Sequence, residues 1–256
     1  MINWKFWKRN NGIPMPPKKY ITAIGSGDFK DIGQHFLKNF IKFCSLKPHH
    51  KVLDIGCGVG RMAIPLTKYL KTGSYEGFDI VKKEIDWCQD NITARYSNFN
   101  FRFTDVYNKH YNPAGKINAS EFKFPYRNES FDFVFLTSVF THMLPEDMEN
   151  YFSEISRVMK KDGKCLITYF LKNDESKRLL AQGKSTIDFK FHHENYSTQY
   201  LDLPEAAVLY DEKTILNIYK RYNLEVIKPI HYGNWCGRKK FLSYQDIIIA
   251  KKFTLL

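Results

Sequence analysis

Residues 52–60 read Val-Leu-Asp-Ile-Gly-Cys-Gly-Val-Gly, an apolar strand running into a turn with glycine at every second position. Glycine has no Cβ, so backbone at Gly56, Gly58 and Gly60 can approach a ligand closely, and the helix that follows presents free N–H groups. The pattern implies a nucleotide-like ligand. In the dinucleotide fingerprint GxGxxG the third glycine would fall at position 61, where this chain has Arg61; the spacing here is GxGxG. Asp54, just before the turn, also argues against a pyrophosphate, because a carboxylate beside two phosphates is repulsive. It suits a cationic ligand instead, such as one carrying a sulfonium and an ammonium group.

On either side of this turn the chain alternates strand and helix, the pattern of parallel βαβ units. KVLDIG is the first strand, Ile64 to Leu70 falls in a helix stopped by Gly73, and SYEGFDI is a second strand with Asp79 at its carboxyl end. A helix over 82–95 precedes FNFRFT, the third strand. FDFVFLT (131–137) is the fourth, buried by its continuous apolar character. Pro145 opens a helix through EDMENYFSEISRVMKK, and GKCLITYFL is the fifth strand. Upstream, residues 1–27 carry IPMPP and GSGDF and predict an irregular arm, followed by a packing helix capped by Asp28 with Ile32, Phe36, Phe40 and Phe43 on one face. Two insertions interrupt the alternation, at 105–127 and 172–210; the second is longer than a normal connection and is a candidate substrate lid. After a helix near 212–222, LEVIKPIHYG and YQDIIIAKKF predict an antiparallel pair at the sheet edge.

With Asp54 and Asp79 placed, VLDIGCGVGR, FPYRNESFDFVF and EISRVMKKDGKCLIT resemble the Rossmann-like S-adenosylmethionine-dependent methyltransferases over about residues 48–171. The resemblance implies an α/β fold, a doubly wound, mostly parallel seven-stranded sheet with an antiparallel edge strand. It divides the chain into an N-terminal arm and helix (1–45) and a methyltransferase domain (46–256) carrying both insertions. It implies S-adenosyl-L-methionine as cofactor, with Gly56, Cys57 and Gly58 at the methionine part and Asp79 at the ribose. Gly60, Ile80, Thr137 and Ser138 complete that set. The adenine contact comes from the segment after the third strand, which here means either Asp105 or Ser120, Glu121 and Phe122. The whole-chain pattern, with YNPAG, SVFTHML and WCGR, resembles bacterial methyltransferases of unassigned substrate suspected of acting on sugars or other small metabolites.

Methyl transfer from a sulfonium is an in-line displacement, so positioning supplies much of the rate and a base is needed only for a protonated acceptor. His142 follows the fourth strand, where doubly wound folds place their ligands, and is the expected general base. His231, Tyr232, Trp235 and Arg238, aromatics and cations beside glycines, are the expected acceptor contacts. No Cys/His cluster has metal-ligand spacing, so no metal is expected.

The net charge of +12 would suit an anionic partner, but thirty of the 39 basic residues are lysines scattered among 17 asparagines rather than gathered in a stripe. The leading expectation is therefore a cytoplasmic enzyme methylating oxygen or nitrogen of a small molecule, with nucleic acid not the expected partner. An RNA or protein methyltransferase using the basic surface is a second reading, though no RNA-binding module is recognisable. A third is a cofactor-binding scaffold touching a membrane surface through residues 1–12, where Trp4, Phe6 and Trp7 alternate with Lys5, Lys8 and Arg9. No apolar run is long enough to span a bilayer.

Overall fold

The computed structural model describes residues 12–23, 25 and 27–253, so nearly all of the membrane-facing stretch expected at 1–12 lies outside the described residues. The chain forms two compact units: one runs to Thr104 and includes Phe131–Val134, the other comprises Asp105–Ser130 and everything from Phe135.

The first unit contains α1 (Lys18–Ala23), α2 (Phe29–Cys44), β1 (Lys51–Ile55), α3 (Ala63–Tyr69), β2 (Ser74–Asp79), α4 (Lys82–Cys88), β3 (Phe99–Phe103) and the start of β4 (Phe131–Leu136). Its strands lie in the order β3-β2-β1-β4, with β1, β2 and β3 parallel. Val52, Leu53 and Ile55 are wholly buried, as an apolar run in a covered parallel sheet must be. The arm is not irregular throughout, because α1 forms directly after Pro16 and Pro17. Nor does a boundary fall at residue 45. The Oδ1 of Asp28 caps α2 by accepting the Asp31 N–H at 2.8 Å, and the helix then packs into the unit, Phe40 meeting Phe133 with ring centroids 5.0 Å apart. At Gly33 a Cβ would stand 2.4 Å from the Arg61 carbonyl oxygen, so only glycine permits this approach. The helix expected over 82–95 instead leaves α geometry after Cys88, as a π turn over Gln89–Thr93.

The second unit is built on β5 (Met159–Lys172), preceded by the end of β4 and α5 (Pro145–Val158) and followed by α6 (Asp174–Ala181), β6 (Phe191–His192), β7 (Tyr196–Thr198), β8 (Val208–Asp211), α7 (Glu212–Arg221), β9 (Leu224–His231) and β10 (Asp246–Lys252). The expected edge pair is present: β10 runs antiparallel to both β5 and β9. Ten strands stand among the described residues where seven were expected, and the extra three, β6 to β8, come from the 172–210 insertion. That segment is not a loose lid. β8 continues along β5 in parallel from Phe170, and Leu179, Phe189 and Leu209 share one buried cluster with Phe170 and Trp235. The 105–127 insertion folds on itself through a Val106–Ile117 bridge and a 3-10 turn at Ala119–Glu121. Asn150 of α5 anchors it, donating to the Ala119 and Phe122 carbonyls at 2.8 and 3.0 Å.

Candidate functional site

In the first unit, β1 delivers Asp54 and then breaks at a turn in which Gly56, Gly58 and Gly60 have φ of 72, 51 and 76°, left-handed values that explain the alternate glycines. Asp79, at the end of β2, braces the turn. Its Oδ2 accepts the Gly58 N–H at 2.7 Å and its Oδ1 the Val81 N–H at 2.9 Å, which leaves lone pairs on both oxygens for further donors. Gly56 and Cys57 both donate to the Phe78 carbonyl, tying the turn to β2. Ile80 contributes its backbone N–H to the Asp79 carboxylate. Cys57 is buried against Gly77, and burial pushes its thiol well above the ordinary range, so it is a small packing residue rather than a nucleophile.

Asp54 is the chemically exceptional group. It is 1% exposed; its Oδ2 accepts the Tyr75 hydroxyl at 2.6 Å, while its Oδ1 is buried with no hydrogen-bond partner. Burial raises its pKa to about 8, against the Tyr75 bond and the Arg61 charge, which lower it, and with help from Asp79. Glu84 of α4 is raised to about 8 too, first by burial and then by Asp79. A buried carboxyl group with an unused oxygen, among other acids, is a place for a cation.

In the second unit, β4 ends at Leu136 and the chain bends at Ser138, whose backbone is left-handed at φ 61°, strained for a residue with a Cβ. The Ser138 N–H donates to Thr168 Oγ1 at 2.8 Å and its hydroxyl to Gln245 Oε1 at 3.0 Å, so β5 and the residue just before β10 hold the chain in that bend. Thr137 precedes it, half-buried. Of the two adenine candidates, Asp105 uses its carbonyl to pin Lys116 and Ile117. In the other, Ser120 donates its backbone N–H to Asp147, Glu121 accepts from Asn118, and Phe122 is buried against Phe124 and Tyr151.

The bend leads to His142. Its Nδ1 lies 2.9 Å from the Glu205 carbonyl oxygen, an acceptor only, so Nδ1 carries the proton and Nε2 is left with its lone pair. The Tyr111 hydroxyl lies 3.4 Å from Nε2, and the His110 ring is parallel to that of His142 at 6.3 Å. Asn108 fixes this grouping, donating to the His142 carbonyl and accepting from the His110 and Tyr111 amides. Burial, with the His110 charge, holds His142 below its ordinary pKa despite the Glu205 bond. Tyr111, His110 and Glu205 were not foreseen from the sequence; Glu205 is 63 residues from the histidine it orients.

The expected acceptor contacts prove to be divided. Trp235 is wholly buried and donates its indole N–H to Asp246 at 2.7 Å. Arg238 is 6% exposed and is consumed by Asp246, Glu175, Asn173 and the Gly233 carbonyl. Both residues are thus tied into scaffolding around Asp246, Trp235 with no exposed surface and Arg238 with only its edge turned to the cleft described next. Tyr232 stacks under the Arg238 guanidinium and donates to Glu212. With His231 and Arg238 it lines an open cleft of about 710 Å³ that also carries Lys184, Lys239 and Lys240. Among the described residues no group of three or more His, Cys, Asp or Glu side chains could hold a metal ion, and no helix is long and apolar enough to cross a membrane.

These features define an α/β nucleotide-type site adapted to a cation. The chain matches the family model described as a methyltransferase domain over residues 29–228 and belongs to that family, whose cofactor is S-adenosylmethionine. A Pyrococcus horikoshii OT3 protein, PH0226, superposes at TM-score 0.63 over 93% of this chain and all of its own, with 17% identity. The magnesium protoporphyrin IX methyltransferase of Synechocystis PCC 6803, solved with bound S-adenosylhomocysteine, does so at 0.55 over 92% and 94%, with 16% identity. At such identities the likeness is one of fold, the Rossmann-like α/β architecture with a mostly parallel sheet and antiparallel edge strands. In sequence, 106 residues are 29% identical to the Thermoplasma acidophilum protein named probable cobalt-precorrin-6B C(15)-methyltransferase (decarboxylating), covering 40% of this chain and 45% of that one. The chain spans about half or less of the length of the curated relatives it matches. The residues present fit the cofactor: the unpartnered Asp54 oxygen suits its positively charged amino-acid end, the glycine turn admits close approach, and Asp79 keeps lone pairs for ribose hydroxyls.

Proposed function

We propose that the protein transfers the methyl group of S-adenosylmethionine to an oxygen or nitrogen of a small molecule, a sugar or another compact metabolite, with His142 accepting the proton that the acceptor gives up. The observation that carries this reading is the placement of His142 Nδ1 at 2.9 Å from the Glu205 carbonyl oxygen, which accepts the Nδ1–H and leaves the lone pair on Nε2, while burial favours the neutral ring. A small acceptor is favoured because the 105–127 and 172–210 insertions bring Tyr111 and Glu205 to this histidine. The test is formation of S-adenosylhomocysteine over a panel of small acceptors by the parent and by His142→Ala. Turnover should fall about 10²- to 10⁴-fold in the variant while S-adenosylhomocysteine binds equally well. Saturated turnover within tenfold of the parent would end the general-base assignment.

A further inference from the structure

The second unit holds a carboxylate that its own fold leaves unsatisfied. Glu205 is 8% exposed, and its Oε2 is buried with no hydrogen-bond partner. A carboxylate oxygen taken out of water with nothing to bond costs stability, and a group kept at that cost is accounted for when a ligand completes it. Its position is functional: the backbone carbonyl of the same residue orients His142. Its charge, with that of Glu146, helps burial raise the pKa of Asp147 at the start of α5, which places the carboxylate in range of that side chain. The carboxylate therefore shares its neighbourhood with two further acids, Asp147 and Glu146, while the His142 ring is bonded to the backbone of the same residue. Among the described residues no ion pair joins a cation to Glu205, and the acids form no group able to hold a metal ion.

We propose that Glu205 selects the acceptor, and that the acceptor is a small molecule bearing a protonated amine whose N–H bonds to Oε2. The inference rests on the reading of His142 as the base of a small-molecule methyltransferase and narrows its substrate class. An ammonium group supplies both things the site lacks, a donor for Oε2 and a positive charge among acids, whereas a neutral hydroxyl supplies only the first.

The experiment uses the full chain, S-adenosylmethionine and a panel of small amines, each tested beside its hydroxyl isostere, for example ethanolamine with ethylene glycol and glucosamine with glucose. The amine members should lead in kcat/KM by about tenfold or more, and Glu205→Gln should cut that lead to about threefold or less, chiefly through KM, with S-adenosylhomocysteine affinity unchanged. Equal use of the hydroxyl members overturns the amine assignment and leaves small-molecule transfer standing. Turnover of neither set by a protein that binds S-adenosylhomocysteine overturns both. A second measurement needs no acceptor: Glu205→Met should raise the melting temperature by removing an unsatisfied buried charge. A lowered melting temperature means that Oε2 is satisfied within the fold and its role is structural, which overturns the proposal.

Discussion

Acidification from pH 7 to pH 6 should weaken S-adenosylhomocysteine binding about ninefold, and Asp54→Asn should abolish that dependence. The magnitude follows from the carboxyl being held at about 8 in the free protein and having to ionise to meet an ammonium group. The ionised fraction at that pKa is about one in eleven at pH 7 and about one in a hundred at pH 6, and the ratio of the two is the loss of affinity. A free-state pKa one unit lower still gives about fivefold. The ligand's own α-amino group, with an ordinary pKa of about 8, stays protonated over this range. Calorimetry at pH 6.0, 6.5 and 7.0 measures it, with proton release on binding as an internal check through the buffer's ionisation heat. Glu84 is raised to about 8 as well, so Glu84→Gln is the necessary control. A parent curve flat between pH 6 and 7, or a slope that persists in Asp54→Asn, would refute the assignment. The stability of the ligand-free protein gives an independent sign. Asp54 binds its proton more tightly folded than unfolded, so its contribution falls as pH rises from its unfolded value of 3.8 to about 8. Asp54→Asn should therefore gain stability relative to the parent at pH 9 and not at pH 5.

Once an acceptor is in hand, the acid limb of kcat should lie below the ordinary histidine value of 6.5, because activity is lost only as pH falls through the lowered pKa of His142; a limb above 6.5 would contradict the buried neutral base. Gly33→Ala gains about 1 kcal/mol of helix propensity but forces a Cβ to 2.4 Å from the Arg61 carbonyl, and overpacking against backbone costs about 1–3 kcal/mol, so chemical denaturation should show net destabilisation. Arg238→Met leaves the Asp246 charge buried without its cation and should cost about 3–5 kcal/mol; unchanged stability with a raised acceptor KM would restore Arg238 as an acceptor contact.

The cofactor half was legible in the sequence because its parts are local. A strand, three glycines and an acid before them lie within nine residues, and Asp79 is found simply by following the next strand to its end. Even there the sequence underspecifies the chemistry. Nothing in the spacing says that Tyr75 will bond Asp54 across the sheet, or that Glu84, five residues after Asp79, will be buried with it; both depend on the β1–β2 register, Val52 opposite Tyr75.

The second unit shows the opposite case, and the surroundings of His142 illustrate why. His142 could be singled out because it follows a strand end, a position with a known meaning in this topology. Its partners could not, because Tyr111 and Glu205 reach it from insertions with no periodicity to align them. Trp235 and Arg238 show a related limit. Aromatic and cationic residues beside glycines suit a ligand-binding loop, but they suit equally a loop that must neutralise a buried acid, and only the placement of Asp246 at 0% exposure decides between the two. The same test, asking whether each buried polar atom is satisfied by the chain itself, separates the roles. Asp246 has donors from Gly233, Trp235, Arg238 and Leu171 and is finished structure. Among the described buried carboxyl groups, Asp54 and Glu205 are the two that keep a buried oxygen with no partner, and it is to those two oxygens that we assign a ligand's positive charge.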